Sequence, residues 1–174
     1  MNVWLLLFAL AGDPASCPMH AEHMKQAEQA KAAEHTAHAA HSDADARGDV
    51  AMGFSHERTK HTFRLLADGG AIEVRANEAG DGDSIAAIRT HLREIARQFT
   101  AGDFARPLQV HDRLPDGVPA MKALGAGILY QYEELENGAR VRITTRTPAG
   151  LEAVHQFLRF QIEEHHTGDP QTVE

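Results

Sequence analysis

From residue 57 onward the chain twice runs through the same pattern, a two-residue alternation followed by a helical period. Phe63, Leu65 and Ala67 alternate with Arg64 and Leu66, and Asp68-Gly69-Gly70 then turns the chain. Ile72, Val74 and Ala76 follow, alternating with Glu73 and Arg75. An Asp-Gly turn between alternating segments signals a β-hairpin. The second hairpin runs through Ile128, Tyr130 and Tyr132 to Asn137-Gly138, then through Val141, Ile143 and Thr145. A two-residue Asn137-Gly138 turn sets Tyr132 opposite Ile143 on one face and Glu133 opposite Arg142 on the other.

Each hairpin leads into a helix. Ile85, Ile88, Leu92, Ile95 and Phe99 recur at the helical period, with Asp83 or Ser84 as N-cap. Thr147-Pro148 supplies a cap and a first-turn proline for Leu151, Val154, Leu158 and Ile162, and Gly168 helps to end that helix. Between the halves, residues 104–127 read as an extended piece carrying Leu108 and Val110, then a short helix from about Val118 to Leu124. The expected fold is α+β: a four-stranded antiparallel sheet from two hairpins, with two long helices on one face in the order ββα-ββα.

Before residue 57 the pattern changes. Residues 1–11 form an apolar run too short to span a bilayer as a helix, which needs about 20 residues. The run reads as the core of an export signal over residues 1–16, with cleavage after Ala9-Leu10-Ala11 or after Pro14-Ala15-Ser16. Residues 17–56 then form a leader and linker that lack an apolar stripe, so they are expected to be largely disordered or marginally helical. Its polar, Gly-terminated boundary is His41 to Gly48. The folded domain is expected over residues 57–168 and a C-terminal tail over 169–174.

The leader holds the unusual chemistry. Cys17, Met19, His20, His23, Met24, His35, His38 and His41 gather thiol, thioether and imidazole where no core calls for them. Such groups suit copper, nickel or zinc. His20 with His23 or Met24, and His35 with His38 and His41, stand at i,i+3 or i,i+4 spacing, so they share one side of a helix that metal binding would stabilise. The competing reading is a solvated Ala-rich linker. The Cys17-Pro18-Met19-His20 opening and the His/Met richness resemble the leaders of exported bacterial copper- and nickel-handling proteins, which implies a substrate class but no specific mechanism. Cys17 following the signal is also a candidate lipid anchor, the one route by which a membrane enters this reading.

Twelve histidines are an excess for 174 residues, and the domain carries its share. His61 has the strand parity of Phe63 and Leu65. His91 flanks the first helical stripe, His155 the second, and His111 lies in the connector. In one reading these four meet at an edge of the two layers as a second metal site, with Met121 as a soft ligand. In the other they are separate, hydrogen-bonded, half-buried residues. His165 and His166 are expected to complement the helix dipole.

Other constellations exclude more than they suggest. A net charge of −8 disfavours nucleic-acid binding, which needs clustered Lys and Arg. A single cysteine excludes an internal disulfide framework. The acidic stretch 77–84 lacks the ordered spacing of a calcium loop. No nucleophile elbow, phosphate loop or dinucleotide fingerprint is present, so no catalytic residue is assigned. The expectation is an exported, periplasmic protein that sequesters or delivers copper, nickel or zinc. Two alternatives stand beside it. One is a module engaging an acidic protein or ligand, another exported protein being a candidate partner, through Arg64, Arg75, Arg140, Arg142 and Arg146 on the outer sheet face, with the leader as a tether. The other is a metalloenzyme using the domain histidines.

Overall fold

The computed structural model describes residues 22, 26, 29, 31, 48–50 and 52–174. The chain forms two compact units, Met1–Ser42 and Asp43–Glu174. In the first, Glu22, Gln26, Gln29 and Lys31 are helical and exposed. The expected export signal and the candidate ligands Cys17, Met19, His20, His23, Met24, His35, His38 and His41 lie outside the described residues.

The second unit is an α+β domain built on one antiparallel sheet. Strands β1 (Thr59–Leu66) and β2 (Gly69–Ala76) form the first hairpin, β3 (Ile128–Leu135) and β4 (Gly138–Thr145) the second. They join through β2 and β4, giving the order β1-β2-β4-β3. Both turns sit one residue earlier than the glycines suggest. Leu66 pairs with Gly69 and Leu135 with Gly138, so the connecting residues are Ala67-Asp68 and Glu136-Asn137.

In the second hairpin the register therefore differs by two residues from expectation. Tyr132 faces Val141, Tyr130 faces Ile143, and Glu133 faces Arg140. The glycine is needed for close approach instead of the turn: a Cβ on Gly138 would lie 2.0 Å from the Val74 carbonyl oxygen of β2. A shift of two preserves side-chain parity, so the inward and outward faces are those that alternation predicts. The expected ion pair also survives with a changed partner, Arg140 Nε donating to Glu133 at 3.0 Å.

One face of the sheet is covered by α1 (Gly82–Thr100) and α4 (Pro148–Glu164). Ile88, Leu92, Ile95 and Phe99 of α1 and Val154, Leu158 and Ile162 of α4 are buried against Phe63, Leu65, Val74, Val141 and Ile143 of the sheet. Thr147 caps α4, its Oγ1 accepting from Gly150 N at 3.1 Å. The cap of α1 is Asp81, whose Oδ1 accepts from Ser84 N at 3.1 Å, two residues upstream of the earliest expected cap. Its other carboxylate oxygen meets Arg58 at 2.7 Å, so the acidic stretch is occupied in ending a loop and starting a helix.

The connector holds two short helices, α2 (Ala105–His111) and α3 (Val118–Leu124). Only the second is legible as such; α2 replaces the expected extended piece. Asp103 Oδ1 accepts from Ala105 N at 2.9 Å, and Pro107 falls in the first turn, where its missing N–H costs no helical bond. Val110 is buried while Leu108 is 43% exposed, so the two residues read as an alternation share no face.

Two peripheral segments complete the domain. Phe54, ahead of the expected boundary at 57, is buried in the core. The C-terminal tail runs beside β1, an edge strand: Asp169 Oδ2 accepts from Phe63 N at 2.8 Å, and Glu174 N donates to Leu65 O at 2.9 Å. That covers backbone groups an edge would otherwise present for pairing with another chain. No helix among the described residues is long and apolar enough to cross a membrane.

Candidate functional site

Four imidazoles reach one pocket from four different elements. His61 points inward from β1 by the parity it shares with Phe63 and Leu65. His91 comes from the middle of α1, and His111 is the last residue of α2, followed by Asp112 in the left-handed conformation (φ 53°). His165 caps the C-terminus of α4, its N–H donating to the Gln161 carbonyl. The pocket walls are otherwise mostly apolar: Ile72 and Val74 from the sheet, Leu92, Ile95 and Phe99 from α1, Phe157 from α4 and Val110 from α2, with Met52 and Arg106 also lining it.

The rings pack on one another. His61 and His165 stack at 5.4 Å between centroids with an interplanar angle of 8°. His111 meets His165 edge-on at 4.9 Å. Phe54 lies 6.0 Å from His61 and 5.6 Å from His91, bridging the two. The His111 ring is held on both sides. Its Nε2 lies 3.2 Å from Gln161 Oε1, and its Nδ1 lies 3.5 Å from Glu164 Oε2, a carboxylate fixed in turn by Arg113 at 2.8 Å. A carboxylate behind an imidazole is the arrangement by which metal-binding histidines are oriented.

Burial holds these imidazoles neutral. It pushes His61 and His91 down to about 4, with Arg106 and His61 adding to the effect at His91. His165 is pushed to about 3, first by burial and then by His61, His111 and His166. His111 is lowered by burial, opposed by its bond to Gln161 and by Glu164. A neutral imidazole keeps the lone pair that coordinates a metal. Among the described residues no group of three or more His, Cys, Asp or Glu side chains stands in coordination geometry. Rings packed face to face and edge to face must rotate about their side-chain torsions before their nitrogens converge.

This chain matches no family model, no curated protein and no solved structure. The reading of the site therefore rests on its own chemistry.

Of the domain residues singled out in the sequence, His61, His91 and His111 line the pocket, whereas Met121 and His155 do not. Met121 is a core residue, 1% exposed. His155 is buried with its Nε2 at 3.0 Å from Leu66 O and 2.9 Å from Gly69 O, a clasp on the β1–β2 turn. It precedes His165 by ten residues, about 15 Å along a helix. His165 takes the fourth place. As a buried neutral ring it brings no charge to the helix dipole. The signal for it lay in the stripe of α4, because Leu158 and His165 are seven residues apart and so share a face. Gln161, also missed, lies between them on that side.

On the opposite face of the sheet Arg64, Arg75, Arg140 and Arg142 are engaged locally, while Arg146 lies past the end of β4. Glu73, 8% exposed, stands 3.4 Å from Arg140, 3.6 Å from Arg75 and 3.8 Å from Arg64. Arg142 pairs with Asp68 and donates to Gly70 O at 2.9 Å.

Proposed function

We propose that this chain binds a transition-metal ion, copper, nickel or zinc, and that His61, His91, His111 and His165 form a binding site within the folded domain. The observation that supports the reading is the meeting of four neutral imidazoles from four elements in one apolar pocket. Buried polar groups are costly unless paired. A core needing only packing at these positions is met more cheaply by Leu or Phe. The His- and sulfur-rich leader, with Cys17, Met19, His20, His23, Met24, His35, His38 and His41, acts in this proposal as the capturing segment of an exported protein. Ions are taken up by labile imidazole and sulfur ligands and passed on by ligand exchange.

Calorimetric titration of three full-length chains with zinc and nickel, and with copper(I) under reducing conditions, tests this. One is unaltered, one has His20, His23, His35, His38 and His41 replaced by alanine, and one carries His61→Phe and His165→Phe. Metal binding that survives the leader substitutions, together with a lowered metal stoichiometry in the His61/His165 variant, supports the domain site. Binding lost with the leader alone confines the function to the leader. Binding by none of the three overturns the proposal.

A further inference from the structure

The amide of Gln161 is the feature that the histidines alone do not explain. Gln161 lines the pocket and is 5% exposed, yet its Nε2 has no hydrogen-bond partner among the described residues. Its other end faces His111 Nε2 at 3.2 Å. Turning the amide over does not remove the problem, because the atom no longer facing His111 is then the bare one. A buried amide left half unpaired is destabilising, a cost that methionine, of similar length and apolar, would avoid. The pocket beside it has a volume of about 70 Å³. That is several times the roughly 10–15 Å³ one water requires, so there is room for a ligand of a few non-hydrogen atoms.

We infer that the domain site keeps one exchangeable coordination position, which takes a small oxygen- or nitrogen-donor ligand (water, hydroxide or an anion of two to four heavy atoms) hydrogen-bonded to the Gln161 amide. This rests on the metal reading above and adds to it. When His111 Nε2 is given to a metal, Gln161 loses that hydrogen bond, and its NH2 becomes a donor beside whatever atom completes the coordination. A site with three or four imidazoles and an open position is the arrangement of metals that bind and polarise small ligands, whereas a purely structural site is closed by protein groups. The apolar walls set the size limit and strengthen the amide's hydrogen bond by excluding water. The balance is one of ligand exchange only: one bound water leaves as one anion enters.

The test uses the full-length chain with the five leader histidines replaced by alanine, loaded with cobalt(II), whose visible bands report the coordination sphere, and titrated with azide. The expected result is a saturable spectral shift. Gln161→Met should weaken azide binding about tenfold, the scale of one hydrogen bond to a charged group, while cobalt affinity stays within about threefold. Bands that azide leaves unchanged overturn the exchangeable position and leave the metal site standing. Azide binding equal in Gln161→Met overturns the role of the amide. Failure of this chain to take up cobalt overturns the exchangeable position, while the zinc, nickel and copper titrations above decide the metal reading separately. Should Gln161→Met not fold, size selection on the unsubstituted pocket decides: azide bound and benzoate refused supports the inference, and equal binding of both overturns it.

Discussion

At the residue scale the same side chain serves opposite purposes in one domain. His155 and His165 stand on the same helix, but one ties a turn and the other enters the pocket. What separates them is the surroundings: two carbonyls converge on His155, whereas His165 packs against the rings of His61, Phe63 and His111. His155→Ala is therefore expected to lower stability by about 1–3 kcal/mol by leaving Leu66 O and Gly69 O without their donor, and to leave metal affinity unchanged. Urea unfolding and metal titration of the same variant check both halves. A loss of metal binding without a loss of stability would reverse the assignment.

At the scale of elements, the central joint is the pairing of β2 with β4, and it depends on a missing side chain. Gly138→Ala places a methyl 2.0 Å from Val74 O, so the strands must part or shift. The expected cost is about 2–3 kcal/mol, read as a lower urea midpoint at unchanged slope. Thr147→Ala, by contrast, removes one cap bond from α4 and should cost about 1 kcal/mol, with Thr147→Ser restoring most of it. Asp169→Ala releases the tail from Phe63 N and bares part of the β1 edge. Concentration-dependent association, measured by light scattering, is the expected result, because an uncovered edge strand is a template for pairing. The helix α2 shows where local pattern misleads: Leu108 and Val110 stand two apart as in a strand, yet the segment is helical, with Ala105 N bonded to Asp103 Oδ1 ahead of it and Pro107 in its first turn.

At the scale of the whole molecule, the buried imidazoles couple folding to pH. The unfolded chain takes up protons on these groups near pH 6.5, whereas His61 and His91 in the fold do so only near 4. Above pH 6.5 both states are neutral and the groups contribute nothing. Between about pH 6.5 and 4 the unfolded chain binds more protons, so stability falls as the pH falls. Each imidazole's share of this loss accumulates progressively across the window. Thermal unfolding of the metal-free protein should show Tm dropping through this window, and His61→Phe together with His165→Phe should flatten the slope. A Tm that is level from pH 7 to 4 would contradict the burial of these rings as neutral groups.

The sequence by itself determined the two hairpins, the two long helices, the face of each strand and helix that turns inward, and the Thr147 cap. These are local: periodicity, turn residues and caps act over a few positions, and a register error of two leaves every face unchanged. It also named three of the four histidines of the pocket. Only the tertiary structure decided that His61, His91 and His111 meet while His155 and Met121 do not, and that His165 and Gln161 join them. Convergence depends on how helices cross a twisted sheet and where they stop, and spacing along a chain carries no such distance. His165, still in helical conformation as the C-cap of α4, stays on the inward face of that helix, and the chain leaves the helix just beyond it through positive φ at His166 and Gly168.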